Sequence, residues 1–90
     1  MSEAHWQVFI HCKAEKILKR LDGETLERIR RALRSLANEP RPAGVRKLTG
    51  HDNLYRLRVG DWCIIYAIED DRLIVLVLEI STRGNAYRNL

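Results

Sequence analysis

LYRLRVGDWCIIYAIEDDRLIVLVLEI, residues 54–80, decides the fold of this chain. It holds three runs rich in β-branched and aromatic residues, and Gly60-Asp61 and Asp70-Asp71 separate them. Such runs between turn residues are typical of consecutive strands. Because glycine suits the first position of a two-residue type II′ turn, Gly60 predicts a β-hairpin.

The hairpin turn also predicts which side chains share a face of the sheet, because successive residues of a strand point to opposite faces. The apolar and aromatic face comprises Tyr55, Leu57, Val59, Trp62, Ile64 and Tyr66. On the other face Arg56 lies opposite Ile65, and Arg58 lies opposite Cys63. We expect the helices to cover the apolar face, which leaves Arg56, Arg58 and Cys63 on an exposed face.

The first half of the chain predicts one strand and two helices. Residues 6–10 alternate weakly, as in a strand, and residues 14–21 place apolar side chains at helical spacing. Asp22-Gly23 is expected to end this helix with a left-handed glycine. The second helix has an apolar stripe of Leu26, Ile29, Leu33, Leu36 and Ala37 and ends before Pro40.

These elements predict one α+β domain over residues 1–90, in the order β-α-α-β-β-β. A helical hairpin packs on one face of a four-stranded, mostly antiparallel sheet. Residues 41–53, RPAGVRKLTGHDN, are predicted to form a long basic loop. Long loops in compact domains are often functional.

The charge distribution favours a polyanionic partner. Residues 13–58 carry thirteen Lys or Arg against six Asp or Glu, whereas the rest of the chain carries three against six. Two cysteines are too few for a disulfide framework. No signal peptide or membrane-spanning run is visible, so a cytoplasmic protein is expected.

The residue inventory lacks the machinery of most hydrolases. No serine lies in a G-x-S-x-G setting, no glycine-rich phosphate loop exists, and no metal site is predicted. RNA, however, can be cleaved by its own 2′-hydroxyl. The protein then has to align the attack, stabilise negative charge and move protons. Arginine forks bind phosphate oxygens and tyrosine stacks on bases or transfers protons, so Arg56, Arg58, Arg83 and Tyr87 suit this chemistry.

The order of motifs resembles the RelE-type toxins of the RelE/ParE superfamily. The resemblance rests on AEKILKRL, on LANEPRPAGVRKLTG, on residues 54–80 and on a final TRGNAYR, and it covers residues 6–88. It implies a type II toxin that stops translation by cutting mRNA in the ribosomal A site, without a metal or other cofactor. It also implies a cognate antitoxin partner in a hetero-oligomer.

The resemblance assigns roles to individual residues. Arg56 and Arg58 would hold the scissile phosphate, Arg83 would stabilise the leaving group, and Tyr87 would act as base or stacking platform. The residues expected to bind RNA are Arg46, Lys47, Arg56, Arg58 and Arg88.

Two positions depart from the family pattern. Many members have arginine where Cys63 stands, and the terminal signature has histidine where Thr82 stands. These departures keep two alternatives open: a non-enzymatic toxin of the gyrase-inhibiting ParE branch, or a weakened RelE-like domain that binds RNA or protein.

A last expectation concerns the apolar side chains of the final strand. Ile74, Leu76 and Leu78 should lie beside the arginines, and no third helix is predicted to cover them. A small domain rarely leaves such an area exposed, so an antitoxin segment is expected to bind there.

Overall fold

The chain forms one mixed β-sheet with two helices on one face. The structure is a computed structural model, and it describes residues 6–82. The elements in chain order are β1 (Gln7–Ile10), α1 (Cys12–Arg20), α2 (Gly23–Leu36), β2 (Arg46–Lys47), β3 (Leu54–Val59), β4 (Trp62–Glu69) and β5 (Ile74–Thr82). The predicted α+β class and the helical hairpin packed on a mostly antiparallel sheet are confirmed.

The sheet has five strands, in the order β1-β5-β4-β3-β2. β1 runs parallel to β5, and the other neighbours are antiparallel. The strand β2 was not predicted, because its two residues lie within the expected loop. Two residues cannot display the alternation that identifies a strand, so only the pairing of β2 with β3 reveals it.

The central hairpin has the register that the sequence predicts. Arg58 lies opposite Cys63, and Val59 lies opposite Trp62. Gly60 has a φ of +62°, the left-handed region that glycine enters without steric cost. The Arg28 guanidinium also lies over this turn, 3.4 Å from where a Cβ on Gly60 would sit. Glycine is therefore favoured here for its backbone angle, since a Cβ would meet Arg28 only at an ordinary van der Waals distance.

The core lies between the helices and the sheet face that the sequence identified. Ile29 and Leu36 of α2 are fully buried against Ile64 and Tyr66 of β4. The half-buried residues that complete this face from the hairpin are Tyr55, Leu57, Val59 and Trp62. Burying apolar surface stabilises the fold by about 25 cal/mol per Å², so this layer is the main source of stability.

The helix boundaries differ slightly from the prediction. His11 is the N-cap of α1, and its side chain accepts a hydrogen bond from the Lys13 amide at 3.1 Å. Leu21, in an extended conformation, ends α1. Gly23 is left-handed as expected, with a φ of +63°, but it begins α2 instead of ending α1. The chain has to reverse direction between the helices, and the glycine allows this at the second helix.

A polar cluster connects the loop after α2 with β3 and with the turn between β4 and β5. Arg41 donates two hydrogen bonds to the Asp70 carboxylate, at 2.9 and 3.2 Å, and lies over the Tyr55 ring. Tyr55 stacks on Tyr66, whose hydroxyl donates to the Pro40 carbonyl at 2.6 Å. Arg41 holds the pKa of Asp70 below its usual range. The Arg41 side chain is therefore bound to the Asp70 carboxylate within the fold.

Candidate RNA-binding face

The candidate site lies on the sheet face opposite α1 and α2, here called the far face. Register assigns its residues, since paired residues of neighbouring strands project to the same side. From β1 to β2 they are Gln7, Phe9, Ile74, Leu76, Glu79, Ser81, Cys63, Ile65, Ala67, Glu69, Leu54, Arg56, Arg58 and Arg46. One end is cationic and the other is apolar. The expectation that Ile74 and Leu76 lie beside the arginines is wrong, because β4 separates β5 from β3 and these two residues pair at the other end of β4.

The cationic end is a cluster of three arginines, Arg46, Arg56 and Arg58, here called the arginine cluster. Arg56 and Arg58 lie on β3, two residues apart, and Arg46 of β2 pairs directly with Arg56. Arg46 and Arg58 are exposed, whereas Arg56 is half-buried and interacts with a neighbouring group. Arginines on neighbouring positions of one sheet face create a positive potential that attracts a polyanion.

Lys47 is separated from this cluster. It pairs with Tyr55, so its side chain projects toward the helix side of the sheet. Val45, two residues before Lys47, packs against the core on that same side. The sequence grouped Lys47 with Arg46 as RNA-binding residues, but the structure places these two cations on opposite faces.

Cys63 lies on the far face as predicted, but the expectation that it is exposed is wrong. Only 1% of its surface is accessible. β4 is the central strand of the sheet, and Cys63 is flanked by Arg58 of β3 on one side and by Ser81 of β5 on the other. A longer side chain at this position, such as arginine, would have to displace that packing.

Two polar residues of β5 were missed by sequence reasoning. Glu79 pairs with Ile65 and Ser81 pairs with Cys63, so both reach the far face next to the arginine cluster. The Ser81 hydroxyl is buried and has no hydrogen-bond partner in the part of the chain that the structure describes.

A β-bulge explains why these two residues were missed. Tyr66 pairs with Val77 while Ile65 pairs with Glu79, so Leu78 is an extra residue on β5. Simple alternation along β5 therefore fails at this point. The sequence feature that could have indicated a polar position on this face was Glu79, a single acidic residue within the apolar run VLVLEI.

Three predicted site residues, Arg83, Tyr87 and Arg88, lie outside the described residues. Within residues 6–82, no group of three or more His, Cys, Asp or Glu side chains is placed to hold a metal ion. No helix in the same range is long and apolar enough to cross a membrane. What the described face offers chemically is cationic binding of phosphate.

Comparison with known proteins places the chain in a family. The model of the ParE toxin of the type II toxin–antitoxin system parDE matches residues 8–87. The RelE1 protein of Methanocaldococcus jannaschii is 31% identical over 87 residues, which span 93% of this chain and 97% of that protein. The chain belongs to the RelE/ParE toxin superfamily. The predicted resemblance is confirmed, and the protein is a RelE-like toxin of a type II toxin–antitoxin system.

Solved structures give the same fold for this RelE-like toxin. A chain of the archaeal RelE–RelB complex from Pyrococcus horikoshii is similar at a TM-score of 0.79 and 31% identity, covering 90% of this chain and 98% of that one. The isolated E. coli RelE toxin is similar at a TM-score of 0.77 and 17% identity, covering 93% and 90%. At that identity the second likeness concerns the fold alone.

Proposed function

We propose that this RelE-like toxin is a ribosome-dependent, metal-independent endoribonuclease that cuts mRNA in the A site and acts in the cytoplasm. The observation that supports the proposal most directly is the arginine cluster on the far face. Three guanidinium groups side by side suit the phosphates of a single RNA strand better than a neutral substrate. The relatives named RelE support the same class of toxin.

The proposed reaction needs no protein nucleophile. The 2′-oxygen of one nucleotide attacks the adjacent phosphorus, the bond to the 5′-oxygen of the next nucleotide breaks, and a 2′,3′-cyclic phosphate forms. The 2′-hydroxyl proton passes to a base, for which we propose Tyr87, and the leaving 5′-oxygen receives a proton or stabilisation from Arg83. Arg56 and Arg58 stabilise the extra negative charge on the phosphorane.

Induction of the toxin without its antitoxin tests this proposal. Growth and translation should stop, and new mRNA 5′ ends should appear inside coding regions. Mapping of mRNA 5′ ends before and after induction is the measurement. The control is the same induction with a double Arg56→Ala, Arg58→Ala variant, which should leave the mRNA ends unchanged.

A gyrase-inhibiting toxin is the second candidate. The match to a ParE model favours it, as does the buried Cys63 in place of the arginine found in many relatives. Growth arrest with intact mRNA and loss of plasmid supercoiling would replace the ribonuclease proposal with this one.

We also infer that a cognate antitoxin covers two apolar areas of the toxin. The first is the apolar end of the far face, where Phe9 is 49% exposed beside its partner Leu76. The second is a shallow groove of about 540 Å³ between α2 and β1, which is lined by Val8, Ile10, Leu33, Arg34, Ala37 and Asn38. Structures of RelE–RelB complexes among the relatives support a protein partner.

The groove lies along an unpaired strand edge. β1 is the last strand of the described sheet. The Gln7 amide donates to the carbonyl of Leu73, just before β5, and the His11 amide donates to the carbonyl of Val77 in β5. By alternation, the amides of Val8 and Ile10 point away from β5, next to their own side chains in the groove. An extended segment could pair there and bury apolar side chains at the same time.

Hydrogen exchange with and without the antitoxin tests this inference. The amides of Val8 and Ile10 should become protected in the complex, while amides on the solvent side of α1 should not change. The toxin should also unfold at a higher temperature, because a ligand that binds only the folded state stabilises it. Protection confined to the helices would show that the antitoxin binds elsewhere.

A further inference from the structure

A small cavity at the tip of the β3–β4 hairpin has no part in the reaction proposed above. It has a volume of about 100 Å³ and lies between α2 and the turn of the hairpin. Its lining residues are Thr25, Arg28, Ile29, Val59, Gly60, Asp61 and Trp62. A drug-sized molecule takes roughly 300–1,000 Å³, so this cavity suits a much smaller group.

The inner surface of the cavity is apolar and partly aromatic. Ile29 is fully buried and Val59 is half-buried, and both belong to the layer packed between α2 and the sheet. Trp62 is also half-buried, so part of its surface remains accessible. Aromatic side chains of this kind stack on flat ring systems, including the bases of single-stranded nucleic acids.

Two opposite charges line the same cavity without pairing. Arg28 and Asp61 are exposed, and within residues 6–82 neither side chain forms a hydrogen bond or an ion pair. Arg41, in contrast, is held by the Asp70 carboxylate. The cavity therefore presents one donor, the Arg28 guanidinium, and one acceptor, the Asp61 carboxylate, to a ligand.

This lining restricts the chemistry of the ligand. A phosphate would bind Arg28 but would also lie close to the Asp61 carboxylate, which repels an anion. An aliphatic group would use neither of the two charged side chains. A flat ring that carries a donor and an acceptor on one edge can stack on Trp62 and bind both charged groups at once.

We propose that this cavity binds a cytosine base of a single RNA strand. Cytosine has a single ring, which suits the small volume. Its N4 amino group donates to the Asp61 carboxylate, and its N3 and O2 atoms accept from the Arg28 guanidinium. Uracil has the same size, but it presents the O4 carbonyl oxygen where cytosine presents the amino group, and a carboxylate repels this oxygen.

The inference rests on the proposed function, because it takes RNA as the ligand. Arg58 lies two residues before Gly60, so the arginine cluster and the cavity meet at the tip of the hairpin. A strand with a phosphate at Arg58 on the far face can turn a neighbouring base around this tip to the helix side. The cavity thus gives the toxin a preference for one base beside the bound phosphate.

Binding of the full-length toxin to two short 2′-O-methyl RNA strands tests the inference, since such strands cannot undergo 2′-hydroxyl attack. One strand contains only uracil, and the other has one cytosine in place of a central uracil. The wild-type toxin should bind the cytosine strand about tenfold more tightly, as expected for one specific base contact. Asp61→Asn should abolish this preference, because an amide can accept from cytosine N4 or donate to uracil O4. Gly-Asn is also typical of a hairpin turn, so the variant should fold.

Matched variants make the test specific. Asp71→Asn removes the same charge from the turn at the other end of β4 and should keep the wild-type preference. Arg28→Ala should weaken binding of the cytosine strand more than Arg30→Ala, which removes an exposed arginine of α2 that does not line the cavity. Because the two strands carry equal charge, general electrostatic effects cancel in the ratio of their affinities.

The outcomes separate this inference from the proposed function. Equal binding of the two strands by the wild-type toxin, no binding of either, or an unchanged preference in Asp61→Asn would overturn the base site. Cleavage of mRNA on programmed ribosomes is measured in parallel. A toxin that cuts mRNA but binds both strands equally would overturn this inference alone. A toxin that prefers the cytosine strand but leaves mRNA intact would overturn the proposed reaction and support the base site.

Discussion

Replacement of Arg58 by alanine is expected to lower the rate of mRNA cleavage by on the order of 100- to 1000-fold, the usual effect of removing one preorganised charge stabiliser. Arg58 is exposed at the end of β3, opposite the small, buried Cys63. No arginine at position 63 is present to share its role. We therefore expect Arg58 to carry a large share of the phosphorane charge.

The stability of the Arg58→Ala variant should barely change. Exposed substitutions away from caps and buried networks usually alter the free energy of unfolding by within about 0.5 kcal/mol. Single-turnover cleavage of mRNA on ribosomes, together with thermal unfolding, measures both effects. A folded Arg58→Ala toxin that cuts at the wild-type rate would remove Arg58 from the mechanism.

Arg31→Ala is the matched control for this prediction. Arg31 is also an exposed arginine, but it lies on α2, on the side of the molecule away from the far face. Its removal subtracts the same charge from the protein. Equal losses of activity in the two variants would indicate a general electrostatic effect and contradict a specific role for Arg58.

Replacement of Tyr66 by alanine is expected to lower the free energy of unfolding by about 3–5 kcal/mol, as for other large buried aromatic side chains. Tyr66 is fully buried in the centre of β4 and stacks on Tyr55 with ring centroids 6.0 Å apart. Its removal would leave a cavity between the sheet and α2. Small domains have total stabilities of roughly 5–15 kcal/mol, so this single change should bring the toxin close to unfolding at 37 °C.

Tyr66→Phe separates packing from hydrogen bonding at the same site. Burial raises the pKa of the Tyr66 phenol, so its hydroxyl stays protonated and donates to the Pro40 carbonyl. Loss of the donor leaves that carbonyl without its partner, which costs about 1–3 kcal/mol. Urea unfolding of the three proteins is the measurement. A phenylalanine variant as unstable as the alanine variant would show that the hydrogen bond, and not the ring, stabilises this region.

The predictable part of the fold was the part with strong periodicity. The hairpin of β3 and β4 has the expected register because Gly60 fixes the turn and alternation fixes the faces. The stripe of α2 identified the core side correctly, since Ile29, Leu33 and Leu36 are all buried. Each of these features depends on residues close together in the chain, where pattern and geometry are directly linked.

The site was only partly predictable, for two physical reasons. The far-face positions of Arg56 and Arg58 follow from local alternation, and the structure has them there. Glu79 and Ser81 reach the same face only because of a β-bulge, and Arg46 only because its segment pairs with β3. The roles given to Arg83 and Tyr87 stay predictions, because both residues lie outside the described part of the chain.

The sequence by itself determined the fold class, the helical hairpin, the hairpin register and the superfamily, because turn residues, periodicity and motif order encode these locally. Only the tertiary structure decided that Cys63 is buried, that Lys47 faces away from Arg46, and that three arginines form one cluster. The burial of a side chain and the neighbour of a short edge strand depend on which distant segments pack beside it. Such contacts join segments that are far apart in the chain, so no local pattern of residues reveals them.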